Sequence, residues 1–393
     1  MRSFLIKIFR FIVTFPFLIF RVNKKKIVFQ SFMGRGYGDN PGVIANEILN
    51  KKKSWQLIWL VKKKDESMPK AIKQVKIFSP FAFYHMATSG IWISNTRGGC
   101  RTLKRKGQKY IQTWHGGGLV IKFVEGMVED KLSHWYISIA KEDGRIIDYF
   151  ISDNSITTKI FREYFYLNDN AQILQVGLPT NSALLSKKNN HEYVVQLRTK
   201  YNVDENCFLI CYAPTFRDDG NIDCYKLDFK KIVSIFENKL KKDVKILIHL
   251  HPNVKNKVNS IIEFNNNVLD FNNIYNFEEI ALISDFFISD YSGTIWDFLL
   301  LDKPGILADL DFDDYLRSRG LVLDNYYDLP YKIAKSNKEL EGKLVEFDFD
   351  IANQKIMEYK VNNNILDNKD GAKKIVDLLT NIIDVDNIGK ELS

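Results

Sequence analysis

The feature that most limits how this chain can fold is a short apolar run that ends in a polar, glycine-containing turn and passes directly into a helix. Its clearest instance lies between residues 286 and 304. Phe286-Phe287-Ile288 reads as a buried parallel strand, and Ser289-Asp290-Tyr291-Ser292-Gly293-Thr294 reads as the turn. Ile295, Phe298, Leu299 and Asp302 then fall about one helical turn apart, and Lys303-Pro304 supplies the stop. A strand that enters a helix through such a turn leaves backbone N–H groups converging on one point, which attracts a phosphate. The same residues also suit an ordinary junction with Asp290 or Ser292 as N-cap.

The pattern repeats along the chain. Strands are expected at Lys26–Phe32, Trp55–Val61, Val75–Phe78, Ile91–Ser94, Lys109–Thr113, Tyr149–Ser152 and Ile173–Val176. Helices at Gly42–Asn50, Pro80–Thr88 and Ser155–Tyr164 fall between them, and Met33–Pro41 is a glycine-rich loop. Gly177-Leu178-Pro179-Thr180-Asn181 marks the crossing into a second half, followed by the polar stretch Ser186–His191. The pattern then restarts with strands at Cys207–Ala213, Val244–His249 and Gly305–Leu307 and a helix at Lys226–Leu240; Asn276–Glu279 resembles a capping box. Alternation of this kind predicts an α/β chain of two doubly wound, Rossmann-type domains facing a cleft, at 26–180 and 181–393, the latter including the C-terminal helices. Ligands of such sheets bind beyond the carboxyl ends of the strands.

The 393 residues give room for two such cores. Residues 1–25 stand apart. Met1–Arg21 is strongly apolar but interrupted by Lys7, Arg10 and Pro16, and its uninterrupted run Phe11–Phe20 is about half of the ~20 residues that a spanning helix needs. Three lysines follow and no small-residue cleavage site does, so an interfacial anchor fits better than a secretory signal, with a short signal-anchor as the alternative. Net charge is +8, with basic clusters at Lys24–Lys26, Lys51–Lys53, Lys62–Lys64 and Lys104–Lys106. An anionic membrane surface suits them; without interleaved aromatics or a nucleic-acid motif, a nucleic-acid partner is disfavoured. The four cysteines (Cys100, Cys207, Cys211, Cys224) lack metal-site spacing and read as buried thiols.

Two of the six histidines directly follow apolar strands. His115 precedes Gly116-Gly117-Gly118, a loop that lets backbone approach a ligand closely. Imidazole is suited to take a proton from a hydroxyl at neutral pH; a hydrogen-bonded structural role is the alternative. His251-Pro252 ends a strand in the second half, where an imidazole could hold a phosphoryl oxygen or the leaving group, and His249 is the competing candidate. Arg217, in Ala213-Pro214-Thr215-Phe216-Arg217, offers a charged fork for phosphate, or else a surface arginine. Asp309-Leu310-Asp311 and Asp311-Phe312-Asp313 have the spacing of metal-binding DxD pairs, but read first as solvated loop.

Taken together, these segments resemble the CDP-glycerol glycerophosphotransferase family of teichoic-acid and capsule synthesis. Gln112–Gly116 matches its QTWHG-type motif, Ala213–Arg217 its APTFR segment, and Ser289–Pro304 its SDYSS…FD…KP block. Gly177–Asn181 matches a GxPRN segment in part, His249–Pro252 an RxHP motif in part, and Arg319-Gly320 an RG pair. The matches run in order from Lys26 to beyond Gly320. Departures include Gly117-Gly118 in place of Thr-Pro, Gly293 for the second Ser, Thr180 for Arg, and His249 where the motif has Arg. The resemblance implies a GT-B-like fold with the nucleotide donor mainly on the second domain, and a reaction without metal or cofactor. It implies His115 as base on the acceptor hydroxyl, which attacks the β-phosphorus of CDP-glycerol and releases CMP. His251 would stabilise the phosphate or the departing group, while Asp290, Ser292, Gly293 and Thr294, with Arg217, would bind the pyrophosphate. The expected partners are a CDP-activated alditol and a lipid-linked glycan or polymer acceptor, at the cytoplasmic face of the membrane. A GT-B glycosyltransferase and a non-catalytic polysaccharide- or nucleotide-binding protein are the competing readings.

Overall fold

The computed structural model describes the chain except residues 1, 67, 98–100, 116–117, 218–221, 252–253, 255–261, 275, 366–368 and 392–393. Gly116, Gly117, Pro252 and Cys100 therefore lie outside the described residues. Two compact units are formed, residues 1–183 with 368–393, and residues 184–367.

The first unit is built on a seven-stranded sheet whose order is β3-β2-β1-β4-β5-β6-β7. Its strands are β1 (Asn23–Gln30), β2 (Gln56–Val61), β3 (Lys73–Lys76), β4 (Ser89–Ser94), β5 (Lys109–Gln112), β6 (Tyr149–Ser152) and β7 (Gln172–Gln175). Every pairing is parallel. Strands buried on both faces read as continuous apolar runs, and the side chains divide accordingly. Ile27, Phe29, Leu57, Trp59, Ile91 and Ile93 pack on one face, and Val28, Ile58, Leu60, Trp92, Tyr110 and Phe150 on the other.

The terminal helix Gly371–Glu391 departs from the sequence reading, which placed it with the second domain. It packs on the first sheet through Ile375, Val376, Leu379 and Ile383. Its N-terminus closes against the Gly177 carbonyl, and the Gly371 N–H donates to Ser182 Oγ at 3.1 Å. Burying four aliphatic side chains contributes about 1.5–3 kcal/mol each before ordering entropy. Sequence proximity to the second unit offers nothing comparable.

The second unit holds a six-stranded sheet of order β10-β9-β8-β11-β12-β13, again all parallel. Its strands are β8 (Phe208–Tyr212), β9 (Val244–Ile248), β10 (Val268–Asp270), β11 (Phe286–Ser289), β12 (Gly305–Ala308) and β13 (Lys332–Ala334). Gly305 sits under the Phe287 ring, where a Cβ would come within 2.3 Å of the ring, so only glycine fits beside that strand partner. In each sheet the strand order reverses once, between β1 and β4 and between β8 and β11. Such reversals are where α/β sheets present their ligand crevices.

The N-terminal residues form a helix, Arg2–Thr14, followed by a 3-10 turn, Phe15–Phe17. Ile6, Arg10 and Thr14 are buried against the unit, whereas Phe4, Leu5, Phe9, Phe11, Ile12, Phe15 and Ile19 are exposed. Arg105 fastens the segment, donating to the carbonyls of Phe20 at 2.8 Å, Leu18 at 3.2 Å and Ala87 at 3.1 Å. Not all of the basic clusters face solvent. Lys26 is buried on Thr88 with its pKa lowered by burial and by Lys73, and Lys104 pairs with Asp148 at 2.7 Å.

Candidate active site

In the first unit, the turn after β5 carries His115 to the switch point. Trp114 takes a left-handed conformation, φ 53°, held by its N–H to Gln112 Oε1 at 3.0 Å and by Asn40 Nδ2 donating to its carbonyl at 3.2 Å. Phe32, Met33 and Asp39 also have positive φ. Strained backbone of this kind persists where surrounding bonds over-determine it.

The His115 ring is held by a hydrogen bond and two flanking aromatic rings. Nδ1 lies 2.5 Å from the carbonyl oxygen of Asn95, the residue that follows β4. A carbonyl only accepts, so Nδ1 carries the proton and Nε2 is left as the basic nitrogen. Phe32 and Trp114 flank the ring with centroids at 5.3 and 4.6 Å. Asn95 also accepts from the Phe32 N–H at 2.8 Å through its side chain, which ties the ends of β1, β4 and β5 together. Burial pushes the Asp39 carboxyl up, opposed by the Asn40 N–H, the Asn95 side chain and the charge of His115. Thr180, which stands where the family motif has Arg, donates N–H and hydroxyl to Asn40 Oδ1 at 3.1 and 3.0 Å. Gly118 adopts φ 85° and its carbonyl accepts from Asn154 at 2.8 Å, which anchors the far end of the glycine loop.

Beside His115 lies a chamber of about 620 Å³, walled by the N-terminal helix, Phe78, Trp114 and Trp135. Asn95, Asn40 and Asp39 were not expected as site residues. The sequence signal of Asn95 is a polar residue at the carboxyl end of an apolar run, whereas Asp39 and Asn40 sit in a glycine-rich loop that reads as a helix start.

In the second unit, the exits of β8 and β11 are locked to each other. Asp290 accepts from the Thr215 N–H at 2.7 Å and from Arg217 at 2.8 Å. Arg217 also holds Asp311 through two bonds at 2.6 and 2.8 Å, and donates Nη1 to the Thr215 carbonyl at 2.5 Å. Its guanidinium lies against Tyr291 and Tyr315, which stack on each other with centroids 3.9 Å apart. Arg217 is thus neither a surface arginine nor an open phosphate fork: Nε and both Nη2 hydrogens are taken by buried carboxylates. Of the DxD residues, Asp309 and Asp311 are likewise not solvated loop, whereas Asp313 is exposed in the first turn of a helix, Phe312–Ser318. Asp311 completes the arginine pair. Asp309 is buried, accepts from the Tyr326 hydroxyl at 2.7 Å, and has its carboxyl pushed up to about 7 by burial.

Ser292 Oγ accepts from the Thr294 N–H at 3.3 Å and the Thr294 hydroxyl at 2.9 Å, both residues being half-buried. Gly293 is exposed, and a Cβ there would meet nothing within 4 Å, so the glycine answers no steric demand. The helix behind the turn, Ile295–Leu300, has only six residues, which makes its dipole a minor contributor. The expected capping box at Asn276 is not formed, its side chain making no N-cap bond. His251 is exposed and stacks on Phe216 at 5.1 Å, with the Arg319 guanidinium 6.0 Å from the same ring. His249 is turned to a structural task. Its Nδ1 bonds the Phe271 carbonyl at 3.0 Å, and burial lowers its pKa.

The family model of CDP-glycerol:poly(glycerophosphate) glycerophosphotransferase matches residues 12–381. The chain belongs to that family. It is 33% identical over 345 residues to the teichoic acid glycerol-phosphate transferase of Staphylococcus aureus, covering 85% of this chain and 87% of that protein. It is 31% identical over 338 residues to the teichoic acid poly(glycerol phosphate) polymerase of Staphylococcus epidermidis, covering 81% of this chain but only 46% of that protein. The solved structure of the wall teichoic acid polymerase TagF superposes with a TM-score of 0.74 at 28% identity, over 93% of this chain and 90% of that one. A TagF variant soaked with CDPG gives 0.76 at 27% identity, over 97% and 94%. The glycerophosphotransferase fold is therefore α/β and GT-B-like, with the two parallel sheets described above.

Proposed function

We propose that this enzyme transfers glycerol phosphate from CDP-glycerol to a hydroxyl of a lipid-linked glycan or growing teichoic-acid-type polymer, with release of CMP. The family match and the teichoic-acid relatives support the reaction class. The observation that supports the mechanism is the Asn95 carbonyl on His115 Nδ1, which leaves Nε2 as the nitrogen able to accept a proton. Nε2 takes the proton of the acceptor hydroxyl, and the oxygen attacks the β-phosphorus. The bond from that phosphorus to the bridging oxygen breaks, and CMP leaves with the electron pair. Positioning and charge stabilisation supply most of the catalysis in phosphoryl transfer.

In the second unit, His251 assists the transferring phosphate, and Ser292, Gly293 and Thr294 receive the pyrophosphate. Asp290 and Arg217 hold that turn in place rather than touching the ligand. The scheme is written without a metal; the carboxylates with DxD spacing, Asp309 and Asp311, are engaged by Tyr326 and Arg217. No helix among the described residues is long and apolar enough to cross a membrane. The exposed apolar side of the helix Arg2–Thr14 supports peripheral attachment, at the cytoplasmic face where the activated nucleotide is found. Acceptor-dependent release of CMP from CDP-glycerol, with CDP-ribitol in parallel, tests the reading. Release from CDP-glycerol is expected; release from neither would reject it.

A further inference from the structure

The chamber beside His115 combines features that a general apolar crevice lacks. Leu5, Phe9, Phe78 and Trp135 make its walls hydrocarbon. Its inner end is cationic: Arg10, Arg97 and Arg101 line it, and none of its lining residues is acidic. Two polar atoms there, Thr96 Oγ1 and Arg97 Nη1, are buried and have no hydrogen-bond partner among the described residues. Arg97 is held by Glu125 at 2.6 Å through Nε and by the Phe165 carbonyl at 2.9 Å through Nη2, while Nη1 is 3.7 Å from Asp143. The ion pair with Asp143 is too long to satisfy the Nη1 hydrogens, and a buried donor without a hydrogen bond is costly, so the arrangement favours a ligand that brings an acceptor oxygen. At about 620 Å³ the chamber has the size of a small-molecule site, enough for the first part of a long chain.

Resting on the transferase reading, we infer that this chamber holds the proximal hydrocarbon chain of the acceptor, with the phosphate that joins chain to glycan beside Arg97. His115 lines the same chamber. A chain anchored there leaves space for only a short polar link before the attacking hydroxyl. The enzyme therefore selects acceptors whose reacting hydroxyl is close to the lipid, and adds the first units rather than extending a long polymer.

Three acceptors with one glycerol-phosphate terminus test this: one carrying a decyl chain on a short phosphate link, one with no chain, and one with a long polyol-phosphate spacer before the chain. Each buried methylene strengthens binding about fourfold, so kcat/KM for the short decyl acceptor should exceed the other two by at least about tenfold. Phe78→Ala and Trp135→Ala, at residues 57% and 50% exposed, should abolish that preference while KM for CDP-glycerol and turnover of the chainless acceptor stay unchanged. Binding is read separately, from tryptophan fluorescence titrated with decyl phosphate below its micelle concentration, with no nucleotide present. A saturable change in the wild type that is weakened in Phe78→Ala supports the site whether or not CMP is released. Equal use of all three acceptors, no saturable change, or an equal response to phospholipid vesicles would overturn it. Failure of CMP release with every acceptor, with decyl phosphate still bound, would count against the transferase reading alone.

Discussion

Arg217 and Asp290 lie 2.8 Å apart at the carboxyl ends of β8 and β11, both buried, and their contact closes the switch point of the second sheet. Asp311 adds a second carboxylate to the same guanidinium. The pair fixes the start of the turn Tyr291–Thr294.

Removing the guanidinium leaves two carboxylates buried without a counter-charge. Arg217→Met should therefore cost about 3–5 kcal/mol of stability, and Arg217→Lys should recover only part, since an ammonium cannot supply the fork. Urea denaturation measures both. A variant with an unchanged midpoint and weakened CDP-glycerol binding would make Arg217 a phosphate ligand instead.

Asp309 gives the second sheet a pH dependence of defined sign. An unfolded aspartate loses its proton near pH 4, whereas burial keeps Asp309 protonated until about pH 7. Between those values the native state binds the extra proton, so this residue's contribution to stability falls as pH rises, by up to about 1.4 kcal/mol per unit, and is level above 7. Asp309→Asn should remove that slope. The stability difference between variant and wild type should thus grow from pH 4 to 7; a constant difference would contradict the assignment.

Asn40 carries the turn that presents His115. Asn40→Ala strands the Trp114 carbonyl and the Thr180 N–H, which costs roughly 1–3 kcal/mol, and it loosens the Trp114 turn that carries His115. Steady-state kinetics should show kcat reduced with KM for CDP-glycerol unchanged. A change in KM alone would place Asn40 in nucleotide binding.

Phe4, Ile12 and Ile19 are 65%, 61% and 83% exposed. Replacing all three with Ser should leave thermal stability unchanged and lower partition onto anionic vesicles by roughly a hundredfold or more. Co-sedimentation reads the result, and wild-type binding by the triple variant would reject the N-terminal segment, residues 2–20, as the attachment face.

Much of this architecture was legible in the sequence, because parallel strands buried on both faces are near-continuous apolar runs. FLICY, VKILI and FFIS each became a strand within a residue or so of expectation. The edge strands β10 and β13 were not legible, since three residues beside a single neighbour carry no periodicity. The terminal helix was assigned to the wrong unit because its apolar stripe does not reveal which sheet it covers. The sequence singled out His115 as a candidate because it follows a strand and precedes glycines. It did not single out the Asn95 carbonyl, because a backbone acceptor has no residue signature. Arg217 stood out as a charged residue at a strand exit, but its structural role was not legible, because its partners Asp290 and Asp311 are 73 and 94 residues away, a distance over which pattern reading has no hold.

The most direct test compares CMP release from CDP-glycerol by the wild type and by His115→Ala, with acceptor present and with imidazole added back. The account predicts acceptor-dependent release by the wild type, a loss of at least about a hundredfold in the variant, and partial rescue by imidazole that increases with pH as the free base forms. A folded His115→Ala protein that releases CMP at the wild-type rate would contradict the assignment of His115 as the base.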